Sequence, residues 1–208
     1  MNFLDFKSQW GLLHGGASTS GIVGGWLSIS YRAARTCSAL RITPNLLTSS
    51  GIACAIAAAW SSPHSYAALF LALSLFFDGI DGSLAIYQEI TSRKGAIWDG
   101  IADRISEFFW AVALYRLGVP VAWVLALVAL ASFQEYARAR VVGAGVKEVG
   151  VVTPAERPVR ASFLFCALLA PITWATTFAI ALTVLQGFSF FLVLRFAYQR
   201  LHSQQSPH

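Results

Sequence analysis

Four aspartates lie within strongly apolar sequence, and their chemistry and spacing could bind a metal ion. Two of them stand in the stretch FFDGIDGSLA and two in GAIWDGIADR; they are Asp78, Asp81, Asp99 and Asp103. A carboxylate inside a membrane costs about 3 kcal/mol or more, so acids in spanning segments generally serve a function. Carboxylate oxygens are the hard ligands that Mg²⁺ prefers. The sequence therefore predicts a divalent metal site.

The spacing of these acids predicts the elements that must position them. The first pair is spaced i, i+3 and the second i, i+4, and both spacings put two side chains on one face of an α-helix. Two such helices facing each other would bring four carboxylates into one small volume. Polar contacts between membrane helices and an ion path through a transporter are alternative explanations. The first needs only one or two acids, and the second does not explain why Gly82, Ala85 and Gly95 accompany them.

The composition predicts an all-α integral membrane protein. The chain has 208 residues, of which 56% are hydrophobic and 12% charged, whereas a soluble domain carries about 25% charged residues. Long apolar runs favour helices over the alternating pattern of a β-barrel. An amphipathic helix is expected at the cytoplasmic membrane surface over residues 22–41. Six spans are expected, at about 45–61, 65–86, 95–116, 120–142, 159–176 and 177–199.

The predicted organisation has three parts: an N-terminal segment over 1–43, a six-helix transmembrane catalytic domain over 44–201, and a polar, disordered tail over 202–208. The net charge is +5. Basic residues collect on one side of the six-span arrangement, so the positive-inside rule explains this charge better than nucleic-acid binding does. We therefore expect a cell-membrane protein whose acids lie in the cytoplasmic halves of their helices, with no nucleic-acid partner.

The two acidic stretches form one continuous pattern of 26 residues. It reads DxxDGxxA from Asp78 to Ala85 and GxxxDxxxD from Gly95 to Asp103. This pattern resembles the signature of the CDP-alcohol phosphotransferase family, integral membrane enzymes of phospholipid synthesis. The run TPNLLT over 43–48 resembles the opening of the family's first span. The resemblance covers roughly residues 40–200.

The resemblance implies transfer of a phosphatidyl-type group from a CDP-alcohol, most simply CDP-diacylglycerol, to the hydroxyl of a small polar acceptor, with release of CMP. It implies a homodimer in the lipid bilayer and a site with Mg²⁺ or Mn²⁺, where two ions could clamp the attacking and leaving oxygens. The four aspartates would be the metal ligands, and Asp103 would also be the general base. The residues implied in donor binding are Pro44, Asn45, Thr48, Gly82, Ala85 and Gly95.

A shorter resemblance concerns the acceptor. The run YARAR, with Arg138 and Arg140, is followed by Glu156 and Arg157. These residues resemble the basic acceptor-site elements of bacterial phosphatidylinositol-phosphate synthases. The resemblance implies that the three arginines bind a phosphorylated acceptor, such as inositol phosphate or glycerol phosphate. The alternative is that they are ordinary anchors at the inner face of the membrane.

One position departs from the family pattern. The family has arginine directly after the alanine of the signature, and this chain has Ile86. The change could weaken donor binding, alter the donor, or mark a paralogue that binds nucleotide and metal without turnover. If a phosphate contact is missing, Ile86→Arg should raise donor affinity. Two further expectations are that Gly79 and Gly82 leave the helix open to a nucleotide, and that Glu107 is a structural partner of a nearby basic residue.

Overall fold

A computed structural model of the chain describes residues 1–16, 18–146 and 152–205, and every regular element in these ranges is helical. This confirms the all-α prediction. A short 3₁₀ turn, Ile172–Trp174, precedes the last helix. In chain order the helices are α1 (Phe3–Leu13), α2 (Gly21–Ala39), α3 (Pro44–Ser61), α4 (Ala67–Tyr87), α5 (Arg93–Arg116), α6 (Val121–Gly143), α7 (Arg157–Leu169) and α8 (Ala175–Gln205).

From α2 to α6 the helix boundaries agree with the predicted segments to within about two residues. The fifth predicted span differs, because α7 ends at Leu169 and Pro171 precedes the 3₁₀ turn. Proline lacks the amide hydrogen that would continue the helix, and it disfavours helical backbone in the residue before it. The last helix continues to Gln205, so the prediction of a disordered tail is wrong for residues 202–205. Residues 206–208 lie outside the described residues.

The structure does not confirm six spans. By length and apolar composition, two helices of the described chain could cross a membrane, Ala67–Tyr87 and Ile172–His202. A third is counted only if Val23–Ala39 and Pro44–Ser61, which meet at a bend of 111°, form one span. Helices α5 and α7 do not qualify as spans, since α5 carries seven charged residues among its 24 and α7 has only 13 residues. A helix of that length is about 20 Å long.

Two compact units divide the chain, and each is described by itself. Unit 1 comprises Met1–Ile56 and Ala72–Ser106, and unit 2 comprises Ala57–Leu71 and Glu107–His208. The predicted three-part organisation over 1–43, 44–201 and 202–208 stays a prediction. The long helices α3, α4 and α5 each contribute residues to both units.

Unit 1 is built around the helix that carries the first two aspartates. Ile80 and Leu84 of α4 are buried with Ala34 of α2 and Leu47 of α3. Helices α3 and α4 approach closely at Gly51, where an added Cβ would lie 3.3 Å from the carbonyl oxygen of Ser74. The small residue therefore lets two backbones meet beside the acidic stretch.

Unit 2 is held by buried hydrogen bonds as well as by apolar packing. The Nε2 of Gln186 in α8 donates to Oε1 of Gln134 in α6 over 2.8 Å, and both side chains are fully buried. The hydroxyl of Ser62 donates to the carbonyl of Ala113 over 2.9 Å. Paired polar groups of this kind satisfy each other in an apolar interior and so fix how the helices pack.

Candidate functional site

Three of the predicted aspartates converge in unit 1. Carboxylate oxygens of Asp78, Asp99 and Asp103 all lie within 4.8 Å of one another. Asp78 comes from α4, and the other two share a face of α5 because they are four residues apart. Carboxylates this close repel one another unless a cation or a proton intervenes. The oxygen-only donor set suits Mg²⁺ or Mn²⁺, so this triad is the candidate metal centre.

The fourth aspartate lies beside the triad and is held by the protein. Asp81 is only 4% exposed. Its Oδ2 accepts a hydrogen bond of 2.5 Å from the hydroxyl of Thr48, and its Oδ1 accepts one of 2.6 Å from the amide of Gly82. It is close enough to Asp78 and Asp99 for electrostatic repulsion. Its role as a metal ligand stays a prediction.

The contact from Thr48 gives this residue a role that sequence reasoning missed. The Thr48 hydroxyl is also 3.1 Å from the carbonyl oxygen of Pro44, one turn earlier in α3. A hydroxyl has one hydrogen and donates to one acceptor at a time. The 2.5 Å contact to a carboxylate is the shorter of the two, and hydrogen bonds to charged acceptors are the stronger class. Thr48 therefore orients Asp81, whatever else it contacts.

Replacing Thr48 with valine keeps its shape and removes this hydrogen bond. We expect Thr48→Val to lower kcat/KM by about 10–100-fold, the usual cost of losing a group that orients a metal-site residue. The metal concentration for half-maximal activity should rise as well, because the Asp81 carboxylate is no longer held. Ser50→Ala is the matched control, since that hydroxyl in the same helix donates only to the carbonyl of Leu46. An equal loss in both variants would contradict the orienting role.

The glycines of the motif have different surroundings. An added Cβ at Gly82 would meet nothing within 4 Å, which agrees with an open helix surface. At Gly79 the expectation of an open surface is wrong, because an added Cβ would lie 2.5 Å from Cζ2 of Trp26 in α2. The amide of Gly95 donates to the hydroxyl of Ser92 at the start of α5, over 3.0 Å. The small residue at Gly79 therefore serves packing of α2 against α4.

The remaining predicted donor residues also fall in unit 1. Pro44 is the first residue of α3, where its fixed φ suits a helix start. It is partly buried, as is Ala85, whereas Asn45 is exposed. No contact of the described residues tests their part in donor binding, which stays a prediction.

Ile86 belongs to the hydrophobic core. Its side chain is 3% exposed and is buried with Phe6 of α1 and Leu27 of α2. The helix α1, which the sequence did not predict, thus packs at the position where the family pattern has arginine. At this position the structure shows apolar packing, and the effect of Ile86 on donor binding stays a prediction.

In unit 2, the first predicted acceptor arginine is engaged by a carboxylate of the same unit. Nη1 and Nη2 of Arg138 donate to the two oxygens of Glu156 over 2.9 and 2.5 Å. Glu156 also accepts from the amide and the hydroxyl of Thr153, over 2.7 and 2.8 Å. Two parallel charge-assisted hydrogen bonds fix both side chains. This pair ties the segment before α7 to α6.

The ionised form of Glu156 is strongly favoured. Burial by itself raises the pKa of this carboxyl, but the hydrogen bonds from Arg138 and Thr153 outweigh burial and hold the pKa at about 2, below the ordinary 4.5. A carboxyl whose folded-state pKa is depressed stabilises the fold above its unfolded pKa. The contribution of Glu156 is therefore complete above about pH 4.5 and is lost as the pH falls through about 2.

This linkage predicts a pH-dependent effect of Glu156→Gln. The variant should unfold about 2–4 °C below the wild type at neutral pH, and the difference should shrink as the pH falls below about 4.5. Thermal unfolding of the purified proteins in detergent across this range measures it. Glu135→Gln removes the same charge, and because its carboxylate is 3.5 Å from Arg138 it should cost less. Equal losses at every pH would contradict the assignment.

A second ion-pair cluster confirms the structural role predicted for Glu107. Its Oε1 accepts from Nη2 and Nε of Arg160 over 2.6 and 3.1 Å, and Arg160 is 4% exposed. Arg157 reaches the same oxygen at 3.9 Å and stacks over the ring of Trp110 at 5.1 Å. Arg140 is exposed. The acceptor roles of Arg138, Arg140 and Arg157 stay predictions.

Comparison with known protein families and curated proteins gives three matches. A family model described as CDP-alcohol phosphatidyltransferase matches residues 41–197. The archaetidylinositol phosphate synthase of Aeropyrum pernix is 33% identical over 121 residues, which cover 56% of this chain and 62%, less than two thirds, of that protein. The enzyme of the same name from Pyrococcus horikoshii is 32% identical over 147 residues, which cover 66% of this chain and 75% of that protein.

Two crystal structures of Mycobacterium tuberculosis phosphatidylinositol phosphate synthase share the fold. The structure with CDP-DAG bound has a TM-score of 0.62 at 22% identity, and the alignment covers 84% of this chain and 92% of that one. The complex with manganese and citrate has a TM-score of 0.59 at 24% identity, with coverage of 86% and 90%. At these identities the likeness supports the helical architecture.

Proposed function

The chain belongs to the CDP-alcohol phosphatidyltransferase family, whose model matches three quarters of it, and on that premise we propose the reaction that it carries out. It transfers a phosphatidyl-type group from a CDP-alcohol, CDP-diacylglycerol or a related lipid, to the hydroxyl of a small phosphorylated acceptor, and it releases CMP. The observation that carries this proposal is the convergence of Asp78, Asp99 and Asp103 within 4.8 Å. The predicted class, a phosphotransferase, agrees with the family.

The residues proposed to hold the metal are the three aspartates of the triad together with Asp81. Their oxygens are ligands of the kind that Mg²⁺ and Mn²⁺ accept, and one or two ions could be bound. A divalent cation bound there would neutralise the charge of the diphosphate and of the departing CMP. The solved relative with manganese and citrate is compatible with this assignment.

The side chains of unit 1 have separable tasks in the proposed reaction. Asp103 takes the proton of the acceptor hydroxyl as that oxygen forms a bond to the β-phosphorus of the donor. The anhydride bond to the α-phosphate breaks, and the electron pair leaves with CMP. Thr48 keeps Asp81 oriented through the 2.5 Å hydrogen bond. The open surface at Gly82 allows the donor to approach the helix backbone.

Inositol phosphate is the favoured acceptor over glycerol phosphate. The curated relatives are named archaetidylinositol phosphate synthases, and the solved relatives are phosphatidylinositol phosphate synthases. Arg140 and Arg157 are proposed to contact the acceptor phosphate, because guanidinium groups match phosphate oxygens. Arg138 is proposed to act by positioning them, since Glu156 already engages it.

The proposed setting is the cell membrane, with the site facing the cytoplasm. In the predicted six-span arrangement the basic residues lie mainly on the cytoplasmic side, and two helices are long and apolar enough to cross a bilayer. A homodimer is proposed from the family resemblance.

The test measures CMP release by the purified full-length protein. Donor and acceptor are varied separately, with CDP-diacylglycerol and CDP-archaeol as donors and inositol phosphate, glycerol phosphate and inositol as acceptors. Release with inositol phosphate that needs Mg²⁺ or Mn²⁺ and falls by at least about 100-fold in Asp103→Asn is the expected result. Nucleotide binding without release from any pair would favour the paralogue that binds without turnover, and ion flux in proteoliposomes without nucleotide would favour a transporter.

A further inference from the structure

A cavity lies in unit 1, and none of its lining residues is assigned to the metal centre or to the donor. Its volume is about 500 Å³, within the range of small-ligand sites, about 300–1,000 Å³. One wall residue belongs to α1 and the others belong to α2. The lining residues are Phe3, Ser28, Tyr31, Arg32, Arg35 and Thr36.

The cavity is basic, since two of its lining residues are arginines and none of the described lining residues is an acid. Arg32 and Arg35 are three residues apart and therefore share one face of α2. Neither arginine takes part in an ion pair with any carboxylate of the described residues. Two adjacent guanidinium groups without a protein carboxylate present several donors to a phosphate group.

The hydroxyl groups of the lining residues are already engaged as donors. Ser28 donates to the carbonyl of Gly24 over 2.9 Å and Thr36 to that of Arg32 over 3.0 Å. Tyr31 donates to the carbonyl of Met1 over 3.1 Å. Donors to an anion must therefore come from the two guanidinium groups. The lining also includes two aromatic rings, those of Phe3 and Tyr31, whose centroids are 5.2 Å apart.

The arginines of the lining could contact the phosphate of an amphiphilic phosphate ester, and the aromatic rings could contact its apolar part. The same helix exposes large apolar side chains, with Trp26 37% and Ile29 54% accessible, as a helix lying on a membrane surface does. We propose that this cavity binds the phosphate group of a phosphate ester, and that its source is the headgroup of an anionic membrane lipid rather than a soluble phosphate.

Binding at this cavity should stabilise unit 1. The Tyr31 ring contacts Phe6 of α1 and Tyr87 of α4, with centroid distances of 5.4 and 5.6 Å. A ligand that restrains Tyr31 therefore restrains the packing of α1 and α2 on α4. Preferential binding to the folded state raises the unfolding temperature.

The experiment uses the full-length protein in nanodiscs of phosphatidylcholine, with or without phosphatidylglycerol. Retained phosphatidylglycerol is measured by native mass spectrometry and the unfolding temperature by scanning fluorimetry. The double variant Arg32→Gln/Arg35→Gln should bind phosphatidylglycerol about tenfold more weakly, the loss expected for one charge-assisted hydrogen bond. Arg93→Gln/Arg195→Gln removes the same charge from exposed positions outside the cavity and should bind like the wild type.

A third variant distinguishes lipid binding in the cavity from nonspecific electrostatic attraction between the protein and an anionic membrane. Ser28→Leu fills the cavity and leaves both arginines in place, so it should lose binding as the double variant does. Equal binding by the wild type and Ser28→Leu, or equal losses in the two double variants, would overturn the proposal. Inorganic phosphate added to phosphatidylcholine nanodiscs distinguishes the sources. Stabilisation by phosphate that needs Arg32 and Arg35 would overturn the lipid assignment while supporting the phosphate site.

Discussion

Replacing Asp103 with asparagine is expected to lower the rate of CMP release by about 10²–10⁴-fold, the range for loss of a general base. The amide has nearly the same shape, but it cannot take the proton of the acceptor hydroxyl. Asp103 shares its face of α5 with Asp99 and belongs to the triad whose oxygens lie within 4.8 Å of one another. The measurement is single-turnover CMP release at saturating metal, so that weaker metal binding does not limit the rate.

The comparison with Asp78→Asn separates the base from a ligand. Asp78→Asn removes one metal ligand of the same triad and should weaken metal and donor binding together. At saturating metal, Asp103→Asn should bind CDP-diacylglycerol more nearly like the wild type than Asp78→Asn does, since loss of the base acts in the transition state and lowers kcat more than affinity. Asp5→Asn, an exposed acid of α1, is the control for loss of one negative charge. Release by Asp103→Asn near the wild-type rate would remove Asp103 from the role of base.

The common face of Asp99 and Asp103 could be predicted because it depends on local geometry, whereas the approach of Asp78 depends on how α4 packs against α5. The i, i+4 spacing of Asp99 and Asp103 fixes their common face on α5. The turn-forming residues Thr43-Pro44 and Gly118 mark where α3 begins and where α5 ends. The spacing of residues along the sequence does not predict where α3 packs against α4. The Thr48–Asp81 hydrogen bond depends on the close approach of these two helices, which the small residue Gly51 permits. It could be found only once both helices were placed.

The membrane topology was less predictable for a related reason. Apolar runs marked where helices begin and end, but crossing a bilayer also depends on charge. Helix α5 needs its two aspartates for the candidate metal centre, and they are among the seven charged residues that keep it from qualifying as a span by composition. The charged residues that the proposed metal site requires therefore lower the hydropathy of the helix that carries them.

Helix α1 was missed because its pattern gives little sign of a buried face. Leu4, Leu12 and Leu13 are well exposed, and Phe6 alone of this helix is fully buried. Its packing partners, Leu27 and Ile86, lie 21 and 80 residues further along the chain. A contact at that separation leaves no local periodicity, so the reason for Ile86 could not be seen in the acidic motif itself.

Ile86→Arg, which restores the family residue, is expected to destabilise unit 1. Ile86 is 3% exposed and packs with Phe6 and Leu27, so the variant places a guanidinium among apolar side chains. The loss of packing and the buried charge together should cost roughly 3 kcal/mol or more. The unfolding temperature of the purified protein measures this cost. Ile86→Leu keeps the volume and should cost less than about 1.5 kcal/mol.

Donor affinity measured on the same samples decides what the family arginine would do here. If the site has been rebuilt around Ile86, the arginine variant gains no affinity for CDP-diacylglycerol, because α1 and α2 fill the space around this position. Deleting the bulk of the neighbouring ring in the double variant Phe6→Ala/Ile86→Arg tests this directly, since it opens room for the guanidinium. An arginine variant that is as stable as the wild type and binds donor more tightly would show that α1 can move away from position 86 to accommodate the guanidinium. The chain would then lack a phosphate contact rather than having replaced it with packing.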